Sequence, residues 1–135
     1  GFHFSLMSSW AFFRNDSGGT NPTRFVAAAP VMGTDWTAIV DNTGTGNFVT
    51  GVMGFANAME LYLPRTGDYL LMDPLSPGGE ILGLPPAYGY GVVVFSVPIP
   101  NDAALVGFAL SAQSAGLGGA NLTNLHNAYD LYVGH

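Results

Sequence analysis

The stretch 1-GFHFSLMSSWAFF-13 decides the reading of this chain. Taken by alternation, Phe2, Phe4, Leu6, Trp10 and Phe12 share one face, interrupted only by Ser8. His3, Ser5, Met7, Ser9, Ala11 and Phe13 share the other. A period of two means an extended strand with one strongly apolar side. At about 3.3 Å per residue such a strand reaches roughly 40 Å. Burying five large apolar side chains contributes about 7–15 kcal/mol gross. Ordering about twelve residues of backbone costs about 1–2 kcal/mol each. The two nearly cancel, so the segment holds only if its main chain joins a sheet and its side chains enter a groove. Within one domain that describes a first strand. Between subunits it describes strand donation, in which main-chain bonds supply affinity and pockets for alternate side chains supply register. The polar run 15–21 would then be the hinge, and head-to-tail donation continues into a fibre unless its geometry closes a ring.

The remainder of the chain sets the class of protein. A length of 135 residues predicts one domain, and 48% apolar residues suffice for a real core. Only 9% of residues are charged, against about 25% in typical soluble domains. Such a surface repels its own copies weakly, which favours assembly. The net charge is −6, with Arg14, Arg24 and Arg65 as the only strong cations and no lysine. That balance argues against nucleic acid, which needs clustered cations on phosphates, and against anionic lipid surfaces. It also leaves few sites for trypsin-like proteases, as suits an extracellular setting. Cysteine is absent, which removes disulfides, thiol nucleophiles and thiolate metal sites but leaves the compartment open. No apolar run approaches the 18 residues or so of a membrane helix. A chain opening on Gly1 rather than Met is expected to be processed, by loss of a secretory signal, or to be a fragment.

Glycine and proline punctuate nearly every interval at the short spacing of an all-β sandwich. Strands are predicted at 24–29, 35–41, 47–55, 59–63, 68–73, 92–97, 108–113 and 128–133. Residues 35–55 read as one hairpin about the turn 42–46, and residues 59–73 as a second about Arg65-Thr66-Gly67. The run 92-VVVFSV-97 is nearly continuous in hydrophobicity, which predicts a central strand buried on both faces. Asn101 or Asp102 is placed to cap one helical turn over 103–105, and 116–119 reads as a flexible link. The expected fold is therefore one β-sandwich, jelly-roll or immunoglobulin-like, of about eight to ten strands. Residues 1–13 form the apolar terminal strand, a candidate donor between subunits, and residues 14–135 the sandwich.

Motifs for chemistry are sparse. His3, His126 and His135 show no metal-ligand spacing. The nine carboxylates fall mostly in turns and at strand ends, where they cap the backbone, rather than as a glycosidase pair. The loop 41-DNTGTG-46 lacks the twelve-residue calcium pattern and its closing glutamate. Neither glycine-rich stretch has a phosphate-loop lysine or dinucleotide spacing, and no serine sits in a Gly-x-Ser-x-Gly setting. Most aromatics alternate with polar residues as core residues do. Tyr88 and Tyr90, in a Pro/Gly loop, are the candidates for stacking on sugar. Asn15 and Asn121 match the glycan-acceptor pattern.

The segment 96-SVPIPNDAALVGFALSAQSAGLGGANLTNLHNAYDLYVG-134 resembles the C-terminal part of secreted β-rich domains found in planctomycete-type bacteria. The matching blocks are Pro98 to Asp102 with Leu105-Val106-Gly107, then Ala112-Gln113, then Leu122-Thr123-Asn124 and Leu131 to Gly134. Upstream stretches such as 14-RNDSGGTNPTRF-25 and 79-GEILGLPP-86 are similar too, and Leu125-His126-Asn127 departs from the pattern. The resemblance implies export and a β fold, with no activity attached.

The expectation is a non-enzymatic, cofactor-free structural subunit of an extracellular filament, fibre or surface layer. Its partners would be copies of itself, joined through Phe2, Phe4, Leu6, Trp10 and Phe12, with no nucleic acid and no membrane insertion. The alternative is a carbohydrate-binding or adhesion module of a larger exported protein, with Tyr88 and Tyr90 as contacts and glycans as partners. A hydrolase using an Asp/Glu pair is the third reading.

Overall fold

The computed structural model describes residues 8–119 and 123–135. Along the chain these form β1 (Trp10–Arg14), β2 (Phe25–Ala27), β3 (Asp35–Asp41), β4 (Val49–Phe55), β5 (Ala58–Leu63), β6 (Asp68–Met72), β7 (Glu80–Gly83), β8 (Ala87–Tyr88), β9 (Val92–Pro98), a 3-10 turn (Ala103–Leu105), β10 (Ala109–Leu117) and β11 (Thr123–Tyr132). The fold is all-β, with one strand more than the upper expectation because two-residue β8 pairs with β4. The capped turn is where the sequence puts it: the Asp102 carboxylate accepts from the Ala104 N–H at 3.0 Å.

Three antiparallel layers stack. The large sheet runs β1-β11-β10-β4-β7, a small sheet runs β2-β3-β9, and β5-β6 is a separate hairpin. The small sheet and one face of the large sheet enclose the apolar core, in which Phe25, Trp36, Val40, Val52, Ala112 and Leu131 are all buried. Alternation explains the division. In β3, Trp36, Ala38 and Val40 are buried while Thr37 and Ile39 are exposed, which is the period of a strand wet on one side. The hairpin covers the opposite face of the large sheet over β10 and β11, so Ser111 and Gln113 are buried there although they are polar.

Four expectations change. First, β3 and β4 do not pair. Each has one apolar face, and they belong to different sheets that enclose one core, so 42–48 is a crossover between layers, with Gly44 and Gly46 both at φ 78°. Second, β9 is an edge strand rather than a central one. Only Val93, Phe95 and Val97 turn inward, while Val94 is 63% exposed. Third, Gly116 and Leu117 belong to β10, since both pair with β4 and β11. Fourth, β1 crosses the expected division at residue 13. It is the edge of the large sheet, registered Trp10 to Tyr132 through Arg14 to Ala128, and the side facing the core is that of Ala11. Trp10 and Phe12 look outward, Phe12 with 61% of its surface exposed.

One glycine is fixed by packing. A Cβ on Gly54 would lie 2.8 Å from Leu110 Cδ1, 3.1 Å from Leu82 Cβ and 3.3 Å from the Ser111 carbonyl oxygen. Gly54→Ala is expected to destabilise by about 1–3 kcal/mol through overpacking, read from the urea midpoint.

Candidate functional site

The space between the two sheets is polar at one end and apolar at the other. At the polar end a β-bulge in β11, opposite Ser114, places an extra residue in the ladder. His126 and Asn127 consequently both reach inward. The Asn127 side chain bridges to β2 like a further strand, its Oδ1 accepting from Phe25 N–H at 3.0 Å and its Nδ2 donating to Phe25 C=O at 2.9 Å. His126 Nδ1 meets Ser114 Oγ at 2.7 Å. Its Nε2 is buried and has no hydrogen-bond partner among the described residues. Burial first, and then the nearby Arg24 charge, push the His126 pKa down to about 4. Asn42 Nδ2 donates to Thr50 Oγ1 in the same region.

At the apolar end the sheets part. A groove of about 300 Å³ opens there. Trp36, Val97 and Ile99 come from the small-sheet side, Ile81, Leu82 and Leu110 from the large sheet, and Phe108 from the segment before β10. The two strands that flank it, β7 and β9, are each the last of their sheet.

Among the described residues no strand pairs with the outer edge of β9. In an antiparallel ladder the N–H and C=O of one residue point to the same side. Thr37 C=O accepts from Ala28 N–H, so Thr37 and Ile39 bond toward β2, and Trp36, Ala38 and Val40 bond toward β9. Their partners Val97, Phe95 and Val93 are thereby occupied. The groups of Val92, Val94 and Ser96 point away from β3, where no described strand pairs with them.

Exposed apolar residues cluster elsewhere as well. Val26, Ile39 and Val94 are cross-strand neighbours and form an apolar row over the outer face of the small sheet. Trp10 stacks on Tyr132 with ring centroids 5.2 Å apart and touches Phe12 at 4.7 Å. Tyr88 and Tyr90 both lie against Phe48, at 5.9 and 5.0 Å, and all three are exposed. Phe48 is the member of this group that sequence reading missed; it becomes visible only when β8 pairs with β4. Phe2, Phe4, Leu6 and Asn121 lie outside the described residues. Asn15 is half-buried, and its Nδ2 donates to the Asn21 carbonyl at 2.9 Å.

The ionisable groups serve the fold. Arg14 Nε donates to the Asp130 carboxylate at 3.0 Å, and its terminal nitrogens donate to Ser111 Oγ and to the carbonyls of Met59 and Leu71, which ties β1, β10, β11 and the hairpin together. Burial would raise the Asp16 pKa, but donation from the Asn21 N–H and from the Thr20 hydroxyl and N–H leaves it lowered. Burial, and beyond it the Asp16 charge, raise that of Asp68 although it accepts from Leu125 N–H. Among the described residues no three His, Asp or Glu side chains converge in the manner of a metal site. Among the described residues no helix is long and apolar enough to cross a membrane.

No protein-family model, curated protein or solved structure matches the chain.

Proposed function

We propose that this chain is a non-enzymatic structural subunit of an extracellular filament, fibre or surface layer, self-assembling through β-strand and apolar contacts. The observation that carries the reading is the apolar groove between two sheet-edge strands. An open edge is a template for another strand, and an apolar opening beside it rewards one that brings alternate apolar side chains. A chain in which only 9% of residues are charged adds little repulsion between copies. The resemblance to exported β-rich domains supports the extracellular setting. Static light scattering with electron microscopy, across a range of concentrations, tests it. The expected result is mass that rises with concentration and elongated or layered particles in the images. Dispersed monomers at every concentration overturn the proposal.

A second reading, a carbohydrate-binding or adhesion module, is favoured by the exposed trio Phe48, Tyr88 and Tyr90. Ring faces of this kind stack on the apolar faces of sugars. Glycan-array binding that disappears in Tyr88→Ala and Tyr90→Ala would support it, and an array without signal would dismiss it.

A further inference from the structure

We propose that the open edge of β9, with the groove beneath it, is the acceptor for residues 1–7 of a second copy of this chain. The inference rests on the self-assembly reading and names its contact. Three observations converge on it.

The first is chemical. The segment GFHFSLM carries Phe2, Phe4 and Leu6 on one face, and the groove wall is carbon: Trp36, Leu82, Val97, Ile99 and Leu110. A cavity of about 150 Å³ accepts a benzene ring, so a groove of about 300 Å³ has room for about two such side chains. Alternate residues of a strand are about 6.7 Å apart on one face, which sets two neighbouring anchors into one groove.

The second is the main chain. Val94 and Ser96 present N–H and C=O groups to the open side, and Val92 lies in line with them. An added strand would take up these groups and at the same time cover the groove.

The third is reach, which selects the second copy. β11 ends at Tyr132, opposite Trp10. Beyond it, the Gly134 N–H donates to the Pro30 carbonyl and the Gly134 carbonyl accepts from Met32 N–H, so among the described residues the next main-chain groups of β11 on the β1 side are already taken. From Leu6 to Trp10 the chain spans at most about 14 Å. β2 packs against β11, which sets β9 over β4 and an added strand over β7. Trp10 is then about four strand spacings of 4.8 Å and one sheet spacing of 10 Å away, or about 22 Å. Leu131 and Val133 bring one wall of the groove close to Trp10, but the β9 edge lies beyond that reach of about 14 Å, so a segment that pairs along β9 comes from a neighbour.

Because the chain has no cysteine, introduced thiols report cleanly. The full-length double variant Phe4→Cys/Val97→Cys is oxidised at a concentration where the parent chain assembles, and run on a non-reducing gel. A ladder of covalent oligomers is expected. A cross-linked monomer would place the segment in its own groove and overturn the second-copy assignment. Particles that still assemble without cross-linking would overturn the groove assignment while leaving self-assembly intact. Absence of both would remove the two readings together. Val94→Pro gives an independent check, since it deletes an outward N–H and leaves the pairing with β3 untouched. It is expected to raise the assembly concentration by about tenfold, the equivalent of one or two main-chain hydrogen bonds. A folded Val94→Pro chain that assembles like the parent speaks against the β9 edge.

Discussion

Gln113→Leu is expected to destabilise the fold by about 2–6 kcal/mol, the largest effect of any substitution considered. Gln113 is buried on the face of the large sheet that the hairpin covers. Its Nε2 donates to the carbonyls of Tyr69 at 3.0 Å and His126 at 2.9 Å, and its Oε1 accepts from Leu71 N–H at 2.9 Å. Leucine has nearly the same size but serves none of these groups. Leu71 N–H would be left without its acceptor in a closed layer, at about 1–3 kcal/mol, and the two carbonyls would each lose one of two donors, at about 0.5–1.5 kcal/mol apiece. Asn21, which donates to the same Tyr69 and His126 carbonyls and accepts from Tyr69 N–H, remains to share part of the load. Urea unfolding gives the number. A loss below about 1 kcal/mol would mean that the hairpin does not depend on this amide.

The second large effect is on acid stability. His126 is neutral in the fold, with its pKa at about 4 against 6.5 for an ordinary histidine. The unfolded chain therefore binds a proton below about pH 6.5 that the folded chain refuses until about pH 4. The stability associated with neutral His126 is complete above pH 6.5. It falls as the pH drops from 6.5 toward 4, by about 3 kcal/mol in all, and falls no further below that. Other groups titrate over part of this range, Asp68 among them with its raised pKa, so the informative quantity is a difference. Stability measured from pH 7.5 to 4 should lose about 3 kcal/mol more in the parent chain than in His126→Gln. Parallel curves for the two chains would show that His126 does not carry the effect.

Local features of this fold were legible in the sequence. The β5-β6 hairpin was, because its turn chemistry is contained in Arg65-Thr66-Gly67, with Gly67 at φ 75°. β3 was legible to the residue, because Trp36, Ala38 and Val40 alternate with polar or outward neighbours. Partnership between strands was not. Alternation states that β3 and β4 each have an apolar face. It does not state whether those faces lie side by side in one sheet or opposite each other across a core. The run Val92 to Val97 misled for a related reason: continuous hydrophobicity suits a central strand, yet here its outward valines are exposed at a sheet edge. Ser111, Gln113, Ser114, His126 and Asn127 were illegible as buried residues. Polar residues on a strand normally mark the wet side, and only the covering hairpin and the bulge in β11 turn them inward. The groove has contributors as distant as Trp36, Leu82 and Phe108, so no local window contains it.

The polar fastening of the hairpin also fixes how the molecule bears force. Hydrogen bonds weaken steeply once stretched or tilted by a small amount, so a layer pinned by Arg14, Asn21 and Gln113 resists sliding along the sheet. Lifting it straight off breaks the same few bonds one after another and re-wets a surface whose polar groups water can serve. Strain directed along the strands is therefore carried by the whole stack, whereas a perpendicular pull peels away the outer layer and leaves the two-sheet core whole.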